Sequence, residues 1–153
     1  MNIEPAKVYE IDTVLALIEG LLTELDEEGQ EFAGIDRQKL DLDIRRNLES
    51  GRFIALLAKD DAGTAVGILT LSEGFALYAG GEYGVIDEMY VLPTHRCRGT
   101  GRQLAEAALA IARHKRWFRL DVTGPEGEHG ERAVGFYRKM GFEHTGSKLR
   151  RLV

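Results

Sequence analysis

The residues best suited to chemistry form the run Arg96-Cys97-Arg98-Gly99-Thr100-Gly101, followed by Arg102. The apolar stretch 85–92 precedes it and reads as a buried strand that Pro93 ends. Leu104, Ala107, Ala108, Ile111 and Ala112 follow at helical spacing. A strand, a glycine turn flanked by arginines and a helix start aim free backbone N–H groups at an anion, and the helix dipole favours negative charge there. Gly99 and Gly101 let the backbone turn tightly and come close to that anion. The stretch reads as a pyrophosphate cradle, although on residue types alone a nucleotide or a simple phosphate fits as well. The Gly-Lys-Ser/Thr of a P-loop is absent, and Cys97 leaves no Gly-x-Gly-x-x-Gly dinucleotide pattern. Asp87 and Glu88 stand side by side on the strand. Strand alternation sends them to opposite faces, so only one of them can be aimed at a ligand beside the cradle.

The rest of the chain must position these groups. Residues 2–8 read as a short first strand, and Asp12 or Thr13 as an N-cap. Val14, Leu17, Ile18, Leu21, Leu22 and Leu25 then mark a helix to about residue 26. An acidic, glycine-containing connection (26–34) leads to a second helix over 36–50, closed by Gly51. Strands follow at 53–58 and 65–71, joined by the hairpin chemistry of Asp60-Asp61-Ala62-Gly63. Residues 72–84 show no clear period and read as a hairpin extension or a loop over a site. A strand is expected at 117–122, a loop at 123–130, a helix at 131–140 ended by Gly141, and one or two closing strands in 142–153. The fold class is α/β, a mixed and mostly antiparallel central sheet of six to seven strands with helices on both faces. One domain spans 1–153.

Bulk properties narrow the function. Net charge is −5, which argues against a nucleic-acid binder with its basic face. The single cysteine excludes an intramolecular disulfide and a cysteine-rich zinc site. His95, His114, His129 and His144 lack metal-ligand spacing, so no metal is expected. The N-terminus lacks the basic and apolar regions of a signal peptide, and no apolar run approaches the ~20 residues of a membrane helix. A cytoplasmic protein with no membrane partner is the expectation.

Two segments carry a family resemblance. Met89-Tyr90-Val91-Leu92-Pro93, with Arg96 to Gly101, resembles the strand, proline and (Arg/Gln)-x-x-Gly-x-(Gly/Ala) loop of the GNAT superfamily of acetyl-CoA-dependent N-acetyltransferases. Arg132-Ala133-Val134-Gly135-Phe136-Tyr137-Arg138-Lys139-Met140-Gly141-Phe142 is similar to that family's Ala-x-x-Phe-Tyr-x-x-x-Gly-Phe segment. The likeness is close over 85–145 and extends to 1–84 only in element order. Cys97 stands where the family often has Gly. Gly130 stands where many members have Asn, which leaves that member's pantetheine contact absent or assigned to Glu128 or His129.

The resemblance implies a GNAT-like fold and a division of labour. Backbone N–H groups from Arg96 through Arg102 would hold the pyrophosphate of acetyl-CoA, with Arg96, Arg98 and Arg102 adding charge. The backbone of Met89, Tyr90 and Val91 would pair with the pantetheine arm. Cys97 would be a shielded bystander. At pH 7 only roughly one alkylamine in 2,500 is neutral for a pKa near 10.4, so a base is needed. Glu88 is the first candidate and Asp87 the second. A backbone N–H near Met89 or Tyr90 would face the oxyanion. Tyr137 matches the family's general acid for the departing thiolate. A reference tyrosine, near 10, is a weaker acid than a thiol near 8.5. Tyr137 would therefore act through a hydrogen bond or with a pKa lowered by arginines or the dipole. The implied acceptor is a primary amine of a small molecule, attacked directly in a ternary complex. The alternatives are a protein lysine or N-terminal amine, and a non-catalytic CoA-binding sensor. Tyr78, Tyr83 and Phe75 either line the acceptor side or simply pack. The cluster Glu24, Asp26, Glu27, Glu28, Glu31 and Asp36 either attracts a cationic amine or is a solvated helix end. Many such enzymes pair, so a homodimer is admitted.

Overall fold

Two apolar runs, Ala55 to Ala58 and Val66 to Leu71, are buried along their length, as expected of strands covered on both faces. They lie at the heart of a computed structural model that describes residues 1–25, 36–124, 127–146 and 151, without the side chains of 37 and 127–129. The elements are β1 (Asn2–Pro5), α1 (Ile11–Leu25), α2 (Arg37–Ser50), β2 (Phe53–Lys59), β3 (Ala65–Ala76), β4 (Gly81–Val91), α3 (Thr100–His114), β5 (Leu120–Val122) and α4 (Gly127–Lys139). The chain forms two compact units, Met1–Asp121 and Val122–Val153.

In the first unit β1 to β4 pair in sequence order, each antiparallel to the next, and β5 follows β4 in the sheet. The β4–α3–β5 connection passes through a helix, the kind of crossover a mixed sheet needs. One face buries Ala55, Leu57, Ile68 and Tyr90 against Val14 and Leu17 of α1. Alternation turns Leu56, Leu69 and Leu71 to the other face. There α3 presents Leu104, Ala105, Ala108 and Ala112, and a Cβ on Gly67 would lie 3.4 Å from Leu104. Each fully buried Leu or Ile stabilises the unit by about 1.5–3 kcal/mol.

Local chemistry sets the element ends. The Asp36 carboxylate accepts from the N–H groups of Gln38 and Lys39, and Gly51 closes α2 at φ 71°. Asp60 nucleates the β2–β3 turn by accepting from Ala62 and Thr64 N–H. A turn at Val8–Glu10 precedes α1, whose start at Ile11 falls before the expected caps Asp12 and Thr13. The Lys7 N–H donates to the Glu10 carboxylate at 2.9 Å, which moves the first cap upstream.

Of the two readings of residues 72–84 the hairpin extension holds, while other expectations need correction. Residues 72–84 do extend the sheet as a second hairpin, turned at Leu77–Ala79 and Gly80. The expected strand 117–122 shrinks to Leu120–Val122. Arg116 adopts φ 58°, Trp117 N–H caps α3 on the Ala112 carbonyl, and the indole turns inward, so Trp117 belongs to the helix end. The sheet has five strands among the described residues, not six to seven. Residues 142–146 carry no strand, while the closing strands placed in 147–150 and 152–153 fall outside the described residues. So do the connection 26–34 and most of its acidic cluster.

In the second unit α4 begins at Gly127, four residues before the expected start. Phe136 and Phe142 flank the Tyr137 ring edge-on, at 5.1 and 5.3 Å. Gly141, at φ 88°, ends the helix as the Phe142 N–H returns to the Tyr137 carbonyl.

Candidate active site

The cradle is built by two left-handed residues ahead of a helix. Cys97 has φ 58° and Gly99 φ 83°, with nothing within 4 Å of a Cβ placed on Gly99. Such turns point successive N–H groups into one concavity. The first helical bond of α3 runs from Gln103 N–H to the Gly99 carbonyl. The N–H groups of Thr100, Gly101 and Arg102 therefore precede the helical ladder. Buried Thr100 donates its hydroxyl to the His95 carbonyl at 3.3 Å and fixes the turn to the helix start. This backbone fits a pyrophosphate without any particular side chain.

The three arginines of the cradle differ in their contacts. Arg98 and Arg102 are exposed, and Arg102 pairs with Glu106 one helical turn on. Arg96 is committed to the protein. Its guanidinium grips both oxygens of Glu24 on α1 at 2.7 and 2.8 Å, and its Nε donates to the Val91 carbonyl at 2.8 Å. It also lies over the Tyr90 ring, whose hydroxyl donates to the same Glu24. Arg96 thereby ties the cradle to the end of β4 and to α1. Glu24 belongs to the acidic cluster read above as an attractor of cationic amines or a solvated helix end; its pairing with Arg96 escapes the sequence because the two lie 72 residues apart.

β4 is interrupted by a bulge. Leu71 faces Ile86 and Leu69 faces Met89, so Thr70 alone stands opposite both Asp87 and Glu88. The bulge overrides simple alternation for the two acids. Asp87 is exposed and Glu88 half-buried. The Glu88 carboxylate accepts from the Thr70 hydroxyl, while its own N–H donates to Thr70 Oγ1 at 3.0 Å. Burial pushes the Glu88 carboxyl up, the neighbouring Asp87 charge adds to this, and the Thr70 hydrogen bond opposes it. Beyond the bulge, the Leu92 N–H bonds the Val66 carbonyl of β3. The alternating pattern of an antiparallel ladder therefore turns the backbone of Met89 and Val91 away from β3, as the Arg96 bond to Val91 shows.

Tyr137 lies on α4 in the second unit and is 7% exposed. Burial raises its pKa to about 12. This removes the option of a lowered pKa and leaves the phenol as a hydrogen-bond donor. Gly130 sits inside α4 rather than in a loop, and the side chains of Glu128 and His129 lie outside those described. Phe75 and Tyr78 are 72% and 74% exposed, and Tyr83 packs on Tyr78 and Arg119. Thr70 was missed as well; its signal is a lone hydroxyl in the apolar run 65–71.

Comparison with known proteins agrees with this geometry. The model of the acetyltransferase (GNAT) family matches residues 18–142. The chain is 31% identical over 126 residues to the peptidyl-lysine N-acetyltransferase YjaB of Salmonella typhimurium, covering 78% of this chain and 80% of that protein. It is 38% identical over 73 residues to YjaB of Escherichia coli, a match spanning 48% of this chain but only 43% of that protein. Among solved structures, the aminoglycoside 6'-N-acetyltransferase AAC(6')-Ig of Acinetobacter haemolyticus superposes with a TM-score of 0.77 at 21% identity, over 100% of this chain and 98% of that one. No helix among the described residues is long and apolar enough to cross a membrane. The family match over most of the chain establishes that it belongs to the GNAT family of N-acetyltransferases, enzymes that use acetyl-CoA as cosubstrate.

Proposed function

We propose that this enzyme acetylates a primary alkylamine of a small molecule by direct attack in a ternary complex, with Glu88 as the proton acceptor. The observation that carries the reading is the Glu88 carboxylate, half-buried in the bulge of β4 and held by Thr70. The family match spans both units, which supports one working domain over 1–153. When bound, acetyl-CoA supplies a thioester open to attack by a neutral amine. The N–H groups of the cradle from Cys97 to Arg102 hold the pyrophosphate, and Arg98 and Arg102 add positive charge. Arg96 serves by fixing the cradle to β4 rather than by meeting phosphate. The strand backbone at Met89, Tyr90 and Val91 aligns the pantetheine arm. Glu88 takes the amine proton directly or through water, with Asp87 the second candidate for that role. The Tyr137 hydroxyl donates a hydrogen bond to the departing sulfur.

A second acceptor class is a lysine side chain on a protein. It is favoured by the likeness to YjaB, whose name gives peptidyl-lysine as its substrate. Both acceptors present the same alkylamine, so the base is common to the two readings. Thiol release from acetyl-CoA, followed over a panel of small amines and lysine peptides, separates them. Faster turnover on peptides than on any small amine would replace the first reading with the second. No turnover on either, with CoA still stabilising the fold, would return the chain to the sensor reading. Glu88→Gln is expected to lower kcat/KM by about 10²–10⁴-fold with acetyl-CoA affinity kept. Full activity in that variant would remove Glu88 from the reaction.

A further inference from the structure

A bulge normally leaves an extra residue without a cross-strand partner. Here the N–H of that residue, Glu88, finds a side chain instead of a carbonyl: it donates to Thr70 Oγ1 at 3.0 Å. A hydroxyl has one proton and two lone pairs. With one lone pair committed to the Glu88 N–H, the Thr70 proton is directed at the Glu88 carboxylate, where the second hydrogen bond is found. Thr70 is wholly buried. Its β-branched side chain is stiff about χ1, so the hydroxyl has little freedom to leave this arrangement. One group thus closes the bulge and grips the acid that the bulge presents.

We propose that Thr70 is the positioning residue of this active site, holding the Glu88 carboxylate in a single orientation toward the amine. The inference rests on the reading of Glu88 as proton acceptor. The hydrogen bond also favours the charged carboxylate, against burial and against Asp87. Among the described residues, the charged group that acts on Glu88 is Asp87, beside it on β4.

The test uses the full chain with Thr70→Val, which keeps the shape and deletes the hydroxyl, and Thr70→Ser, which keeps the hydroxyl. Thr70→Val is expected to lower kcat at pH 7 by roughly tenfold, the scale of one hydrogen bond to a charged group. It should move the acid limb of the pH profile upward and leave KM for acetyl-CoA unchanged. Thr70→Ser should return limb and rate toward the parent values. The Glu88 carboxyl carbon, titrated by NMR in the same variants, should show the same upward movement in Val and recovery in Ser. An unmoved Glu88 titration in Thr70→Val, or Ser behaving like Val while both fold, overturns the proposal. If Thr70→Val does not fold, Thr70→Ala is read by the same criteria. Full activity of Glu88→Gln would defeat the base assignment separately, and the NMR titration would still decide whether Thr70 holds the carboxylate.

Discussion

Tyr137 carries a burden that its residue type alone does not reveal. Its hydroxyl titrates near 12 because the side chain is buried, against ~8.5 for an ordinary thiol. Full proton transfer to a departing thiolate would be uphill by roughly 5 kcal/mol at those values. A hydrogen bond to the developing charge needs no such transfer, so in the proposed reaction the phenol would stabilise the sulfur while keeping its proton. Tyr137→Phe is therefore expected to lower kcat by about 10–100-fold while KM for acetyl-CoA stays within about twofold. Tyr137 should also contribute no basic limb to the pH–rate profile below about pH 11, and steady-state profiles of both proteins test this. Equal kcat in the two proteins would remove the phenol from the chemistry. Residue types made the glycine turn ahead of α3 and the Gly141 end of α4 legible, because both have local signatures. Arg96 was legible as a cation but not as a tether, since only the fold brings Glu24 and Val91 to it.

At the scale of elements, periodicity succeeded where one face is buried and failed where none is. The α2 caps, the Asp60 turn and α3 follow from local sequence. Residues 72–84 lack a period because the tip of the β3–β4 hairpin leaves Phe75, Leu77 and Tyr78 in solvent. The bulge at Asp87 and Glu88 was invisible because both residues suit a regular strand, and only the register against β3 reveals the extra one. Trp117 was misassigned to a strand for a similar reason: its ring fills the space above Gly84, a contact distant in sequence. A Cβ on Gly84 would stand 2.2 and 2.3 Å from the indole and 2.8 Å from Leu120. The indole cannot step aside easily, since its Nε1 donates to Glu73 at 3.0 Å. Gly84→Ala should cost about 3 kcal/mol, at the upper end of overpacking. Gly135→Ala, a helical site with nothing within 4 Å, should be neutral or stabilising by up to about 1 kcal/mol. Urea unfolding followed by the fluorescence of the chain's single tryptophan measures the first directly. Similar losses in the two variants would contradict this account of Gly84.

For the molecule as a whole, two charged contacts fasten elements of the first unit together, and both report on pH. Lys59 bridges Glu4 and Glu10 at 2.5 and 2.6 Å, fastening β1 and the turn before α1 to β2. Lys115 and Trp117 both reach Glu73, fastening the end of α3 to β3. Lys59 holds the Glu10 carboxyl below its usual range, and Lys115 does the same for Glu73. A carboxylate whose folded pKa is depressed contributes stability above its unfolded pKa, near 4.3, and loses it as pH falls through the folded value. Glu88 has the opposite sign. Its raised pKa means the folded state binds that proton more tightly, so its contribution is present in acid and lost as pH rises through the folded value. The melting temperature should therefore fall from about pH 5 to about pH 3, with Glu88 offsetting part of the loss. Glu10→Gln and Glu73→Gln should each cost about 1 kcal/mol at pH 7, roughly 2–4 °C, and flatten the acid slope. Glu88→Gln should raise the melting temperature at pH 7, because it removes a charge that burial disfavours. Thermal melts of the four proteins across this range check all of these signs. Equal losses at pH 3 and pH 7 in the first two variants would show that Glu10 and Glu73 contribute packing rather than charge. A less stable Glu88→Gln at pH 7 would mean that the Thr70 bond outweighs the burial of the acid.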